Sequence, residues 1–208
     1  MNLHSLRSLL LSTLLVFIGS SLHAQKALSE DVLSPEIFSV EIWQEGEMMS
    51  EKDGSYLLEK KPFTLVFKWE RKMVDGVYTF ADTDPVLFNR SEENAIPFIN
   101  ELYAITLADR EFNPNKVLFL SDSIGVNFFS DPSRGSNNYS RFNKLESSME
   151  TFTGYREIEA LQTREKHYEL LDMSEPVYLL CFATNPFEDQ EQHGVQVLKR
   201  MRLKISWK

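Results

Sequence analysis

Histidine and cysteine are scarce in this chain, and the shortage removes whole classes of chemistry. Of four histidines, His4 and His23 lie in an N-terminal leader, which leaves His167 and His193 for the rest of the chain. Two histidines exclude a three-histidine zinc site, and no HExxH pair is present. The single cysteine, Cys181, rules out an internal disulfide, a CxxC redox pair and a cysteine metal cluster. It lies in the apolar run VYLLCFAT, where a buried, inert thiol is expected. No GxSxG, SxxK, P-loop or GxGxxG stretch occurs, so the common nucleophile and nucleotide devices are missing as well. Neither a catalytic residue, a metal site nor a cofactor is assigned on these grounds.

Long apolar runs are also lacking, with one short exception. Residues 1–24 carry one charged side chain, Arg7, then the largely apolar run Leu9 to Ile18, then small residues and Ala24 before Gln25. A basic start, a short apolar centre and small residues near a cut are the marks of a secretory leader, and the run is too short for a membrane-spanning helix. The expectation is a signal peptide over 1–24, cleaved, and one β-rich globular domain over 25–208, delivered to the periplasm, the cell surface or the exterior. Without the leader, 21 basic and 31 acidic side chains give a charge of −10. So acidic a chain is a poor partner for phosphate backbones, which argues against nucleic acid.

What is present is alternation. Val195 to Trp207 places Val195, Val197, Met201, Leu203, Ile205 and Trp207 on one phase and Gln196, Leu198, Arg200, Arg202, Lys204 and Ser206 on the other, which is polar but for Leu198. A period of two predicts a strand with a buried and a wet face. Lys199 keeps the apolar phase, so no bulge is implied there, and a position at the core rim is expected. Met201, Leu203 and Ile205 are expected buried, and Arg200, Arg202 and Lys204 exposed, either pairing with carboxylates such as Glu41 on a neighbouring strand or simply solvated. Ile37 to Trp43 alternates too, with Phe38, Val40 and Ile42 against Ser39, Glu41 and Trp43. Phe63, Leu65, Phe67 and Trp69 share a phase, and Val177 to Thr184 is apolar on both, as in a central strand. Val77 to Ala81 and Tyr168 to Met173 are weaker strands. Pro35, Pro62, Pro85, Pro114 and Pro176 stand just before β-rich runs, which supports strand starts near 37, 63, 86, 116 and 177. Lys116 to Leu120 and Ile124 to Phe129 are expected to pair as a hairpin.

Two segments show helical spacing: Ser91 to Asp109, and Phe142, Leu145, Met149 and Phe152 with Gly154 as a stop. The fold expected is therefore mostly β, an antiparallel β-sandwich of about seven to nine strands with one or two short helices.

Three surface clusters are candidates for function. Asp82 and Asp84, with Glu92 or Glu93, offer oxygen ligands but lack the spacing of a calcium loop, so a turn with solvated acids is preferred. Glu188, Asp189, Glu191 and His193 form an acidic hairpin tip. The loop Ser130 to Arg141 is twelve residues long and holds Arg134, Asn137, Asn138, Tyr139 and Arg141. Loops of this length are usually functional or disordered, and a loop without a ligand is the plainer reading; an aromatic ring beside amides and guanidinium groups nevertheless suits a sugar or an anion. Those five are the candidate ligand-binding residues. Asn138 and Asn89 also fit the N-glycosylation pattern. The reading that follows is a binding or structural module with a protein or carbohydrate partner. The alternative is a carboxylate-based hydrolase with Asp and Glu on loops.

If the leader is cleaved, the native protein begins near Gln25. N-terminal sequencing and intact mass of the native material check this; a retained Met1 to Ala24 would contradict it.

Overall fold

A computed structural model of the chain describes residues 37–74, 76–90, 116–120, 127–130, 140–163, 166–186, 189 and 196–208. All lie within the compact unit Pro35–Lys208. Among the described residues three sheets carry it, and antiparallel pairing dominates.

The first sheet has five strands in the order β2 (Glu47–Met48), β1 (Phe38–Gln44), β4 (Phe63–Glu70), β10 (Thr151–Ile158) and β9 (Lys144–Ser147). Its alternation is strict. Phe38, Val40 and Ile42 lie opposite Trp69, Phe67 and Leu65, and these lie opposite Phe152, Gly154 and Arg156. That row faces inward. Phe67 and Trp69 stack around Phe142, with ring centroids 5.7 and 5.4 Å away. Gly154 makes this possible: a Cβ there would sit 2.5 Å from the Phe142 ring, closer than atoms approach.

The second sheet has six strands in the order β3 (Tyr56–Leu58), β14 (Val197–Trp207), β13 (Val177–Thr184), β5 (Gly76–Asp82), β7 (Asn127–Ser130) and β8 (Ser140–Arg141). Met201, Leu203 and Ile205 pair with Cys181, Leu179 and Val177. The two sheets meet through β1, which packs on β13 and β14, and the Val40 N–H donates to the Met201 sulfur at 3.1 Å. At one end Trp207 approaches Phe63, centroids 6.3 Å apart, and its indole N–H donates to the Glu175 carbonyl. β13 is buried on both faces, as its unbroken apolar run requires. Cys181 lies fully buried within it; burial pushes its thiol up to about 12, against a hydrogen bond from Thr79 Oγ1.

A third sheet, β12 (His167–Glu169), β11 (Ala160–Gln162) and β6 (Val117–Phe119), continues from β10 past Glu159. The fully buried Arg156 donates from Nη2 to the Val117 carbonyl at 3.1 Å and ties this sheet to the sandwich. Burial lowers the pKa of its guanidinium to about 10.

The mostly-β sandwich matches the sequence expectation; strands beyond the seven to nine are short ones of two to four residues. Several details differ. The helix expected around Phe142 to Phe152 is a hairpin: β9 and β10 flank a turn in which Ser148 Oγ accepts from the Glu150 and Thr151 N–H groups. Phe142 and Phe152 are buried, whereas Met149 is 90% exposed at the turn, so the i, i+3, i+7 spacing did not mark one face. Pro85 opens a helix, α1 (Val86–Arg90), not a strand, because Asp84 caps the Val86 N–H at 2.9 Å and proline suits the first helical turn. β6 and β7 lie in different sheets and do not form a hairpin with each other. Tyr168 to Met173 is strand only to Glu169, then a 3₁₀ turn.

The terminal strand holds two corrections. Ala183 pairs with Lys199 but Thr184 pairs with Val197, so Leu198 is a bulge. Leu198, apolar in the polar phase, was its trace in the sequence. Leu203 and Ile205 are buried as expected, but Met201 is only half-buried, and Arg200, Arg202 and Lys204 are half-buried rather than exposed. Their face lies on Phe182, Leu180 and Tyr178, not on Glu41. Arg202 sits 4.3 Å over the Phe88 ring of α1 and Lys204 5.7 Å over Tyr178, so aromatic faces receive these two cations. The expected helix over Ser91 to Asp109 lies outside the described residues.

Leu203→Ala is expected to cost about 2–5 kcal/mol through lost burial and a cavity. Gly154→Ala is expected to cost about 1–3 kcal/mol, because Phe142 must move. Denaturant midpoints check both; a neutral Gly154→Ala would mean the Phe142 ring does not pack there.

Candidate functional site

The alternation that fills the core also sends a second set of side chains outward from the five-stranded sheet. Glu41, Val66, Tyr155 and Lys144 form one row across β1, β4, β10 and β9. Met48, Trp43, Thr64 and Glu157 form the next. Of these, Glu41, Trp43, Thr64, Val66, Tyr155 and Glu157 line a groove of about 500 Å³, with Val66, 4% exposed, beneath and Trp43 and Tyr155 half-buried.

Each aromatic ring is held at its polar end. Trp43 Nε1 donates to Glu41 Oε2 at 2.9 Å, and Lys68 Nζ donates to the other oxygen of the same carboxylate. Partial burial pushes the Glu41 carboxyl up, but the hydrogen bonds from Lys68 and Trp43 outweigh it, leaving the group below its ordinary value. Tyr155 OH donates to Glu146 Oε2 at 3.0 Å. Burial and that bond to a carboxylate raise the phenol. Lys144 lies over the Tyr155 ring from the β9 side, 5.2 Å from its centroid.

One turn lines an end of the groove and a second reaches the acids at the other, and both place a charged residue in left-handed backbone. Glu45 (φ 53°) and Gly46 (φ 85°) form the two-residue turn between β1 and β2, where positive φ at both positions matches the strand twist. Lys61 donates to Glu45 at 2.8 Å and, with a lesser Coulombic contribution, holds that carboxyl below its ordinary value. Lys116 (φ 71°) bridges Glu159 at 2.7 Å and Glu157 at 3.0 Å. A non-glycine residue with positive φ is uncommon and costs free energy, so the surrounding structure must hold Lys116 there. The buried Gln44 fixes the β3–β4 linker: its amide donates to the Glu59 and Lys61 carbonyls and accepts from the Glu59 N–H.

Arg134, Asn137, Asn138 and Tyr139 lie outside the described residues. Arg141 is on β8, paired with Ser130 at the edge of the other sheet. Asp82 accepts from the Asp84 N–H at 3.0 Å, and Asp84 from the Val86 N–H, so both act as turn caps. Among the described residues, no three His, Cys, Asp or Glu side chains are grouped to hold a metal. Glu92, Glu93, Glu188, Glu191 and His193 lie outside the described residues; Asp189 is exposed. Asn89 is exposed on α1.

The groove was missed because its residues come from separated strands. A trace was nevertheless visible: Trp43, Val66 and Tyr155 are large apolar groups on phases that otherwise carry Glu, Lys and Thr. Among the described residues, no helix is long and apolar enough to cross a membrane. Comparison with protein-family models, curated proteins and solved structures finds no match.

Because the Glu41 carboxyl is lowered in the fold, its pair with Lys68 stabilises above the ordinary carboxylate range and is lost as pH falls through the lowered value. Glu41→Gln is expected to cost about 0.5–1 kcal/mol at neutral pH. That difference should vanish in acid; an unchanged difference there would contradict the pairing.

Proposed function

We propose that this chain is an exported binding module whose ligand face is the groove on the outer side of the five-stranded sheet. One observation carries the reading. Two aromatic side chains sit on the solvent phase of a sheet, anchored at their polar ends, over an apolar floor in a concavity of about 500 Å³. Ligand sites are typically concave, partly apolar and furnished with a few oriented polar groups, with volumes of about 300–1,000 Å³. Export is proposed from the leader-like residues 1–24 alone.

A carboxylate-based hydrolase is the competing reading, and the electrostatics of the groove disfavour it. A general acid needs a carboxyl raised toward neutrality. Glu41 and Glu45 are both shifted down.

The double variant Trp43→Ala/Tyr155→Ala tests the reading. Wild-type protein is expected to melt at a higher temperature in concentrated culture fluid or envelope extract of the producing cells than in buffer. The double variant should stay folded and lose that increment. If both proteins respond alike, the groove is not the ligand face.

A further inference from the structure

We infer that the groove takes a neutral sugar chain, an inference that rests on the groove being the ligand face. The four acids that line the groove are all held in ion pairs: Glu41 with Lys68, which also lines it, and Glu45, Glu157 and Glu159 with Lys61 and Lys116, which reach them from beside it. With the acids occupied by lysines, no strong field of one sign selects an anion or a cation. What such pairs do offer is carboxylate acceptors beside ammonium donors. A hydroxyl is both donor and acceptor, so neighbouring sugar hydroxyls are satisfied by both partners of a pair.

The aromatic groups point the same way. Trp43 is fixed by Glu41 and Tyr155 by Glu146, so neither ring must be ordered on binding, which lowers its cost. Lys144 occupies the β9 side of Tyr155, which leaves Trp43 as the chief stacking surface for the C–H face of a pyranose. Met48, 55% exposed and directly opposite Trp43 on β2, extends that surface beyond the groove mouth.

A peptide fits less well. Extended peptides are recognised largely through main-chain hydrogen bonds at an open sheet edge. Here the floor is a sheet face, and the backbone groups of β4 are spent on the ladders to β1 and β10. Recognition must come from side chains, as it does for a polyhydroxyl ligand.

The test is calorimetric titration of the full chain with cellohexaose, mannohexaose and laminarihexaose, and with hexagalacturonate and hexalysine as charged probes. At least one neutral hexasaccharide is expected to bind. Trp43→Ala should weaken it by about tenfold or more, as loss of an aromatic anchor does. Trp43→Phe should restore most of the affinity. Raising salt from about 50 to about 500 mM should change binding less than about twofold, because no ion pair forms with the ligand. The sugar assignment is overturned if no neutral probe binds, if only a charged probe does, or if Trp43→Ala leaves neutral binding intact. The first two outcomes, combined with a response to native extract that still needs Trp43, would overturn the sugar and leave the groove as ligand face. Loss of Trp43 dependence in both assays would overturn the two together.

Discussion

The register of β1 and β10 against β4 is the constraint on which both the core and the groove depend. Ile42, Leu65 and Arg156 are aligned, and so are Glu41, Val66 and Tyr155. A slip of one residue would turn the first row outward and the second inward. It would turn Glu41, Lys68 and Glu157 into the core and expose Phe38, Phe67 and Leu65. The apolar area at stake makes that arrangement prohibitive, so the groove is specified by the same pairing that buries the core. Gly154 belongs to this constraint, since only the absence of a side chain admits Phe142 between Phe67 and Trp69.

The ends of the groove are held differently. Gln44 ties β1 to the Glu59–Lys61 linker with three hydrogen bonds and brings Lys61 to Glu45. At the other end Arg156 anchors β6 from inside the sandwich, and Lys116, just before β6, reaches back to Glu157 and Glu159 from outside. A buried guanidinium is costly unless it is hydrogen-bonded. Its placement couples the third sheet to the same strand that carries Tyr155.

Alternation made much of this legible from residues alone. Phe38, Val40 and Ile42, and Phe63 to Trp69, show their inward phase without ambiguity, and the two-sided apolar run of β13 declared a central strand. Period-two patterning says which side a residue takes, but not what lies across from it. That is why the basic residues of β14 were expected to meet Glu41 and instead lie on Tyr178 and Phe182, and why Trp43, Val66 and Tyr155 were not seen as one surface. The hairpin at 144–158 was misread because Phe142 and Leu145 precede a turn that shifts the spacing. The loop at 130–141 stands out by composition, a local signal, and most of it lies outside the described residues; the groove is a long-range product of register.

Amide hydrogen exchange with and without native envelope extract addresses the proposed ligand face most directly. Slower exchange confined to residues 41–46, 62–68 and 153–159 is the predicted result. Protection that instead falls on β13 and β14, or is absent from all three stretches while the extract still raises the melting temperature, would contradict it.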